Sequence, residues 1–219
     1  MAFDHFIKHV ASLEGPERPR SKQPTSDWVV DLRWSPGGQR LVASRADGSL
    51  WSWNLEAGNA PLVVPNLGFD PIVDQAWVRD GRFLVCACSN GTLFVRDGHT
   101  LGVISMQVIT NSEEGLIAAA SHPGRAEIAV AGGDCRIHLR TVSAHGELEK
   151  PSTLRESQLV GHRSPVVKLA WRERLASATE EGRIGISSKD AIDNQLSPYQ
   201  QWSVGARWPG DCSLLVPAG

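Results

Sequence analysis

Four passages of this chain share a rhythm: Trp28-Val-Val-Asp-Leu-Arg-Trp34, Pro71-Ile-Val-Asp-Gln-Ala-Trp77, Pro165-Val-Val-Lys-Leu-Ala-Trp171 and Trp202-Ser-Val-Gly-Ala-Arg-Trp208. Each ends on Trp, with Val four residues earlier. A weaker fifth, Gly115-Leu-Ile-Ala-Ala-Ala-Ser121, places Ile117 and Ser121 at those two positions. The anchors Trp34, Trp77, Ser121, Trp171 and Trp208 lie 43, 44, 50 and 37 residues apart. A self-similar period of this length means stacked copies of one supersecondary unit, none of which buries its apolar face alone.

The interior of each copy reads as strands. Residues 30, 32 and 34 are apolar and share one side of an extended segment, as do 167, 169 and 171. Ser35-Pro36-Gly37-Gly38 then makes a turn, and Arg40 to Arg45 a second strand. Asp47-Gly48 signals a tight hairpin, and Ser49 to Asn54 a third strand. Unit two repeats this with Asp80-Gly81, Arg82 to Cys88, Asn90-Gly91 and Thr92 to Arg96. Unit three has Pro123-Gly124, Glu127 to Ala131, Gly133-Asp134 and Cys135 to Thr141. Unit four has Arg174 to Ala178, Glu181-Gly182 and Arg183 to Ser188. A fourth strand fits near Ala60 to Pro65, Leu101 to Ile109, Leu154 to Val160 and Pro198 to Gln201. Four strands per unit of about 40–45 residues is the period of a β-propeller blade. The composition agrees, since 21 Gly and 13 Pro punctuate short strands rather than long helices.

At this point the chain resembles the WD40 repeat family. The resemblance covers residues 27–219 and rests on Trp34-Ser-Pro-Gly-Gly, Leu41-Val-Ala-Ser, Asp47-Gly48, Trp53-Asn54 and Gly161-His162. It departs from the family pattern at several points. Only Trp53-Asn54 approaches the family's terminal Trp-Asp, where the other units have Val95-Arg96, Leu139-Arg140 and Ser187-Ser188. Gly161-His162 is the only Gly-His at a blade start. In the family the His, a Ser or Thr, the turn Asp and the strand Trp form a buried hydrogen-bond network, and no unit here has all four. The resemblance implies an all-β fold, a WD40-like propeller with about four complete four-stranded blades at 27–69, 70–110, 111–160 and 161–201. A partial fifth occupies 202–219. Two strands of that fifth unit are missing, so the expected ring is an open arc. Self-association, or completion of the ring by another polypeptide, follows as an expectation.

Residues 1–26 stand outside the repeat. Phe3, Phe6, Ile7, Val10 and Leu13 form one stripe of a short amphipathic helix, ended by Gly15-Pro16. A Pro-rich linker follows. The irregular stretch Ser143 to Ser157 makes unit three the longest; by the family's topology it joins the third and fourth strands.

Several function classes are excluded at the level of sequence. No apolar run approaches the roughly 18 residues that span a bilayer, and the N-terminus has no uninterrupted apolar core of a signal peptide. The net charge of −2 gives no broadly basic surface for nucleic acid. Cys86 and Cys88 fall on one face of a strand, a poor disulfide geometry, and the four Cys (Cys86, Cys88, Cys135, Cys212) form no metal-ligand pattern. Buried, reduced thiols and a cytoplasmic location are expected. The seven His form no ligand pair within a repeat strand, and there is no nucleophile elbow or phosphate loop. Neither a metal nor a cofactor is expected.

Asp31 and Asp74 occupy equivalent first-strand positions. They would suit acid–base work or a cation, and they equally suit backbone capping near the channel. His162 matches the buried structural His of its blade. The four repeated Trp (Trp34, Trp77, Trp171, Trp208) read as packing. The leading expectation is a non-enzymatic scaffold that binds a protein or peptide through the rim formed by strand two–three turns and blade connections. That rim carries Asp47, Asn90, Asp134 and Glu181, with Phe69, Asp70, His162 and Arg163 between blades, and Trp28 and Trp202 where first strands open. Its acidic or neutral character favours a basic partner. The alternative is a small-ligand or hydrolytic propeller enzyme using the channel carboxylates.

Overall fold

The computed structural model describes residues 28–57, 60–66, 71–149, 158–159, 162–187 and 200–203. Strands fall where apolar residues alternate or run together between turn residues. The first sheet runs β1 (Val29–Trp34), β2 (Arg40–Arg45), β3 (Leu50–Asn54) and β4 (Leu62–Val64), in that order and antiparallel throughout. The second repeats the order with β5 (Ile72–Val78), β6 (Phe83–Cys88), β7 (Thr92–Asp97) and β8 (Val103–Val108). The third has β9 (Leu116–Ser121), β10 (Glu127–Gly132) and β11 (Ile137–Val142), with two short outer pieces on β11, β12 (Leu148–Glu149) and β13 (Gln158–Leu159). The fourth has β14 (Val166–Trp171), β15 (Leu175–Thr179), β16 (Arg183–Ser187) and β17 (Gln200–Ser203). These are four propeller blades. The inner strands β1, β5, β9 and β14 pack side by side in chain order.

The registers confirm the repeat at single-residue level. Trp34 pairs with Leu41, Trp77 with Leu84, Ser121 with Ile128 and Trp171 with Leu175. Each inner strand carries one register shift, between Val29 and Asp31, Ile72 and Asp74, Leu116 and Ala118, and Val166 and Lys168. Such bulges bend a strand and raise its twist, as the crowded centre of a propeller requires.

Three apolar clusters hold the blades together, one per junction. Val42 and Leu50 of the first blade meet Trp77, Leu84 and Phe94 of the second. Val85, Leu93 and Val95 of the second meet Leu116, Ile128 and Val130 of the third. Ala129, Ile137 and Leu139 of the third meet Val166, Leu169 and Leu175 of the fourth. Cys86 and Cys88 are reduced thiols, fully buried in the first junction. Burial pushes the Cys86 thiol up to about 12, so it packs as a small apolar group.

Some expectations are corrected. Trp34 is 43% exposed and so is not core packing, whereas its equivalent Trp77 is buried. Trp202 lies in β17, opposite Ile184, so it belongs to the outer strand of the fourth blade and does not match Trp28 at a first-strand opening. The stretch after Val142 begins as an ordered hairpin, closed by Ser143 N–H donating to Glu147 O (2.8 Å). The N-terminal helix and the segment after Ser203 lie outside the described residues.

Candidate functional site

Within each sheet, successive turns alternate between the two ends of the blade. One end, here the upper face, carries the β2–β3, β6–β7, β10–β11 and β15–β16 turns and the connections between blades. The lower face carries the turns that follow each inner strand.

The upper turns repeat one hydrogen bond. Asp47 Oδ1 accepts from Ser49 N–H (2.9 Å), Asn90 Oδ1 from Thr92 N–H (2.9 Å) and Asp134 Oδ1 from Arg136 N–H (3.2 Å). A short polar side chain that bonds the backbone two residues on is a local turn mimic. Three of the expected rim residues therefore shape their turns first. Asp134 has a second duty: its other oxygen meets His138 Nε2 at 2.6 Å. Burial opposes ionisation of Asp134, but the His138 hydrogen bond and charge outweigh it and hold the carboxyl below its ordinary range. Glu181 is exposed and pairs with Arg183 at 3.7 Å. Trp28 is 65% exposed and Arg163 is exposed. His162 is not a rim contact. It is buried, and its Nε2 lies 3.1 Å from Ser177 Oγ, which matches the His–Ser part of the family's buried network. Burial lowers its pKa. Phe69 and Asp70 lie outside the described residues, as does the side chain of Trp202. The upper connection from β8 to β9 adds exposed Glu113 and Glu114, which the repeat pattern does not single out.

The central channel holds a polar cluster drawn from all four inner strands, with charged side chains from three of them and a backbone amide from β9. Asp74 is buried and its carboxylate accepts from Arg33 Nη2 (2.5 Å), its neighbour Gln75 N–H (2.9 Å) and Ala119 N–H (3.0 Å), and forms an ion pair with the more distant Lys168 Nζ (3.5 Å). Asp31 lies 3.3 Å from Arg33 Nη1. Burial raises the Asp31 pKa, Arg33 opposes this, and the nearby Asp74 adds to it. Gln75 donates at long range to Asp31 O (3.5 Å) and Val42 O (3.4 Å), tying the second blade to the first. The expected pair of carboxylates is thus spent on two cations and on backbone amides. Lys168 sits where Asp31 and Asp74 sit in their own strands, so the alignment of the repeats is the sequence signal that brings these three charges to one level of the channel.

Below this cluster the channel widens into a cavity of about 720 Å³ at the lower mouth. Trp34, Trp77 and Trp171 line it together with His122, which meets Trp171 edge-on at 5.3 Å. Arg125, also on the wall, pairs with Glu127 at 3.4 Å. Arg79 donates through Nε to Val142 O (2.8 Å). Of the wall cations, Arg33, Lys168 and Arg125 each pair with a carboxylate, whereas Arg79 is held by a backbone carbonyl. Among the described residues no cluster of His, Cys, Asp and Glu is placed to hold a metal ion.

The comparisons with known proteins fit this geometry. The family described as WD domain, G-beta repeat (WD40) matches residues 17–54. The solved structure of U3-55K superposes with a TM-score of 0.61 at 18% identity, over 76% of this chain and 50% of that one. The crystal structure of the RRP9 WD40 repeats gives 0.62 at 16% identity, again over 76% and 50%. The four blades share the fold of WD40 propellers, and one repeat of the chain matches the family's sequence model. The SIR4-interacting protein SIF2 of Saccharomyces cerevisiae is 26% identical over an alignment of 215 residues that covers 89% of this chain and 38% of that protein. The chain therefore spans well under half the length of this curated relative, and half of each of these two solved structures.

Proposed function

We propose that this WD40 chain is a non-enzymatic scaffold whose upper face binds a basic segment of a protein partner. The observation that carries the reading is the charge on that face. Asp47, Asp134 and Glu181 stand on three of its four turns, with Glu113 and Glu114 between the second and third blades, and these carboxylates outnumber the cations Arg136, Arg163 and Arg183 beside them. An acidic surface raises the encounter rate with basic partners and rejects acidic ones. The relative SIF2 is named for an interaction with another protein, which supports a protein partner here. The channel carboxylates support the same reading, since Asp31 and Asp74 are committed to Arg33 and Lys168. The buried thiols of Cys86 and Cys88 suit a reducing compartment.

The test uses Glu113→Lys/Glu181→Lys, which reverses exposed charge without touching a turn cap. Basic partner proteins recovered with the purified wild-type chain are expected to fall sharply with the variant, at unchanged melting temperature. Equal recovery of the same partners would overturn the rim reading.

A further inference from the structure

The outer strands of the blades are not equally protected. In the first blade, β4 has three residues bracketed by Pro61 and Pro65. Proline offers no N–H and blocks strand addition at both ends. In the third blade the outer position is split between two pieces of two residues each. The second blade differs. Its outer strand β8, Val-Ile-Ser-Met-Gln-Val, is six residues long. From Leu101 to Thr110 there is neither a charge nor a proline. A long, uncharged, β-prone edge is what natural sheets avoid unless it is used.

The hydrogen bonds show which groups that edge offers. Ile109 N–H donates to Gly91 O (2.9 Å). The register pairs Gln107 with Leu93 and Ser105 with Val95. In an antiparallel ladder, alternate residues point their N–H and C=O to the same neighbour. Ser105, Gln107 and Ile109 therefore bond β7, and Thr92 N–H is turned away to Asn90 Oδ1. The N–H and C=O of Met106 and Val108 point outward. Their side chains are 63% and 59% exposed. Ser105 and Gln107 face the third blade, where Ser105 Oγ donates to Gly146 O (2.7 Å) and Gln107 Oε1 accepts from Arg140 Nε (2.9 Å). The edge is thus pinned on its inner side and open on its outer side.

We infer that β8 is a strand-addition site for an extended, uncharged, β-branched segment of a partner, preceded by basic residues. The basic part of this inference rests on the rim reading above. Strand β8 ends at the upper face and leads through Asn111 and Ser112 to the exposed carboxylates Glu113 and Glu114. An added antiparallel strand enters from that face, so the residues preceding it pass those carboxylates. Main-chain hydrogen bonds supply the affinity and the Met106/Val108 side selects apolar residues at alternate positions.

The probe is a fluorescein-labelled peptide, Lys-Lys-Thr-Val-Thr-Ile-Thr-Val, read by anisotropy against the whole chain. Saturable binding is expected, together with slowed amide exchange at Met106 and Val108 in the wild-type chain. Met106→Pro removes one outward N–H and no ladder bond, and is expected to weaken binding by about tenfold or more, while Met106→Thr changes it by less than about threefold. Glu113→Lys/Glu114→Lys is expected to weaken binding at low salt and to flatten its salt dependence. If charge reversal weakens binding while Met106→Pro does not, the rim stands and strand addition falls. If Met106→Pro weakens binding and charge reversal does not, strand addition stands and the basic requirement falls. Absence of peptide binding, or of exchange protection at Met106 and Val108, overturns the site. Self-association of the chain that Met106→Pro abolishes, without peptide binding, also overturns it and makes a second copy the occupant.

Discussion

Cys135 stands at φ 58, where the equivalent hairpin positions hold Gly48 (φ 78), Gly91 (φ 85) and Gly182 (φ 78). A left-handed conformation costs a side-chain-bearing residue about 1–2 kcal/mol relative to glycine. Cys135→Gly is therefore expected to stabilise the chain by about 1 kcal/mol after the entropy of glycine is deducted, measured by urea unfolding. No gain would mean that the Cys135 side chain offsets its own strain. Asp74 makes the opposite case. Asp74→Asn keeps an acceptor for the amides but removes the charge that Arg33 faces. Arg33 is a third exposed and Lys168 is mostly exposed, so solvent screens much of the pair. A loss of about 2 kcal/mol is expected, against less than about 0.5 kcal/mol for Lys168→Ala. His162 sets a pH window. Burial holds its folded pKa below the ordinary 6.5, so the unfolded chain takes up the proton first as pH falls. Its contribution is fully present above 6.5 and is lost as pH drops through the folded value. Melting temperature should fall from about pH 7.5 to about pH 5.5, and fall less in His162→Gln. A parallel fall in both proteins would assign the effect to another group.

Glycines separate two kinds of constraint at the scale of the turn. Gly38 has φ +71 with open space around it, whereas Gly115 has φ +58 and a Cβ there would lie 1.7 Å from Ser89 O. Gly38→Ala should cost about 1 kcal/mol from backbone strain alone. Gly115→Ala should cost more than twice that, because the β8–β9 connection must move off the second blade. Similar losses at both sites would refute the close approach. The hairpin glycines show what could be read in advance. Asp47-Gly48, Asn90-Gly91 and Glu181-Gly182 are local signals, and the strands between them follow from short-range alternation. The inner-strand register followed as well, because the Trp anchor repeats. Exposure did not. Trp34 and Trp77 share a position and a sequence context, yet of the two only Trp77 has a described blade packed on both sides. The rim residues were legible as positions but not as roles, since Asp47, Asn90 and Asp134 cap their turns. The edge of β8 was visible only as a fourth strand. Its outward-pointing amides depend on a ladder register that no local pattern encodes.

At the scale of the molecule, burial is graded along the arc. Every residue of β6 is buried, and β10 is buried after its first residue, whereas β1 has four exposed residues of six and β4 two of three. Stacked repeats behave as a chain of units coupled to their neighbours, so local stability should follow local burial. The second and third blades share the junction of Val85, Leu93, Ile128 and Val130, and each has a described blade on both sides. Amide exchange is therefore expected to be slowest in β6, β7 and β10 and fastest in β4 and the outer face of β8. Substitution should follow the same gradient. Val85→Ala empties space in that junction and should cost about 2 kcal/mol, while Val30→Ala, already 37% exposed, should cost less than about 0.5 kcal/mol. Because Val85 couples two blades, its loss should also speed exchange in β10, which it does not join by hydrogen bonds. Faster exchange confined to β6 would show that the blades unfold independently, and uniform exchange across all four sheets would show a single cooperative unit with no gradient.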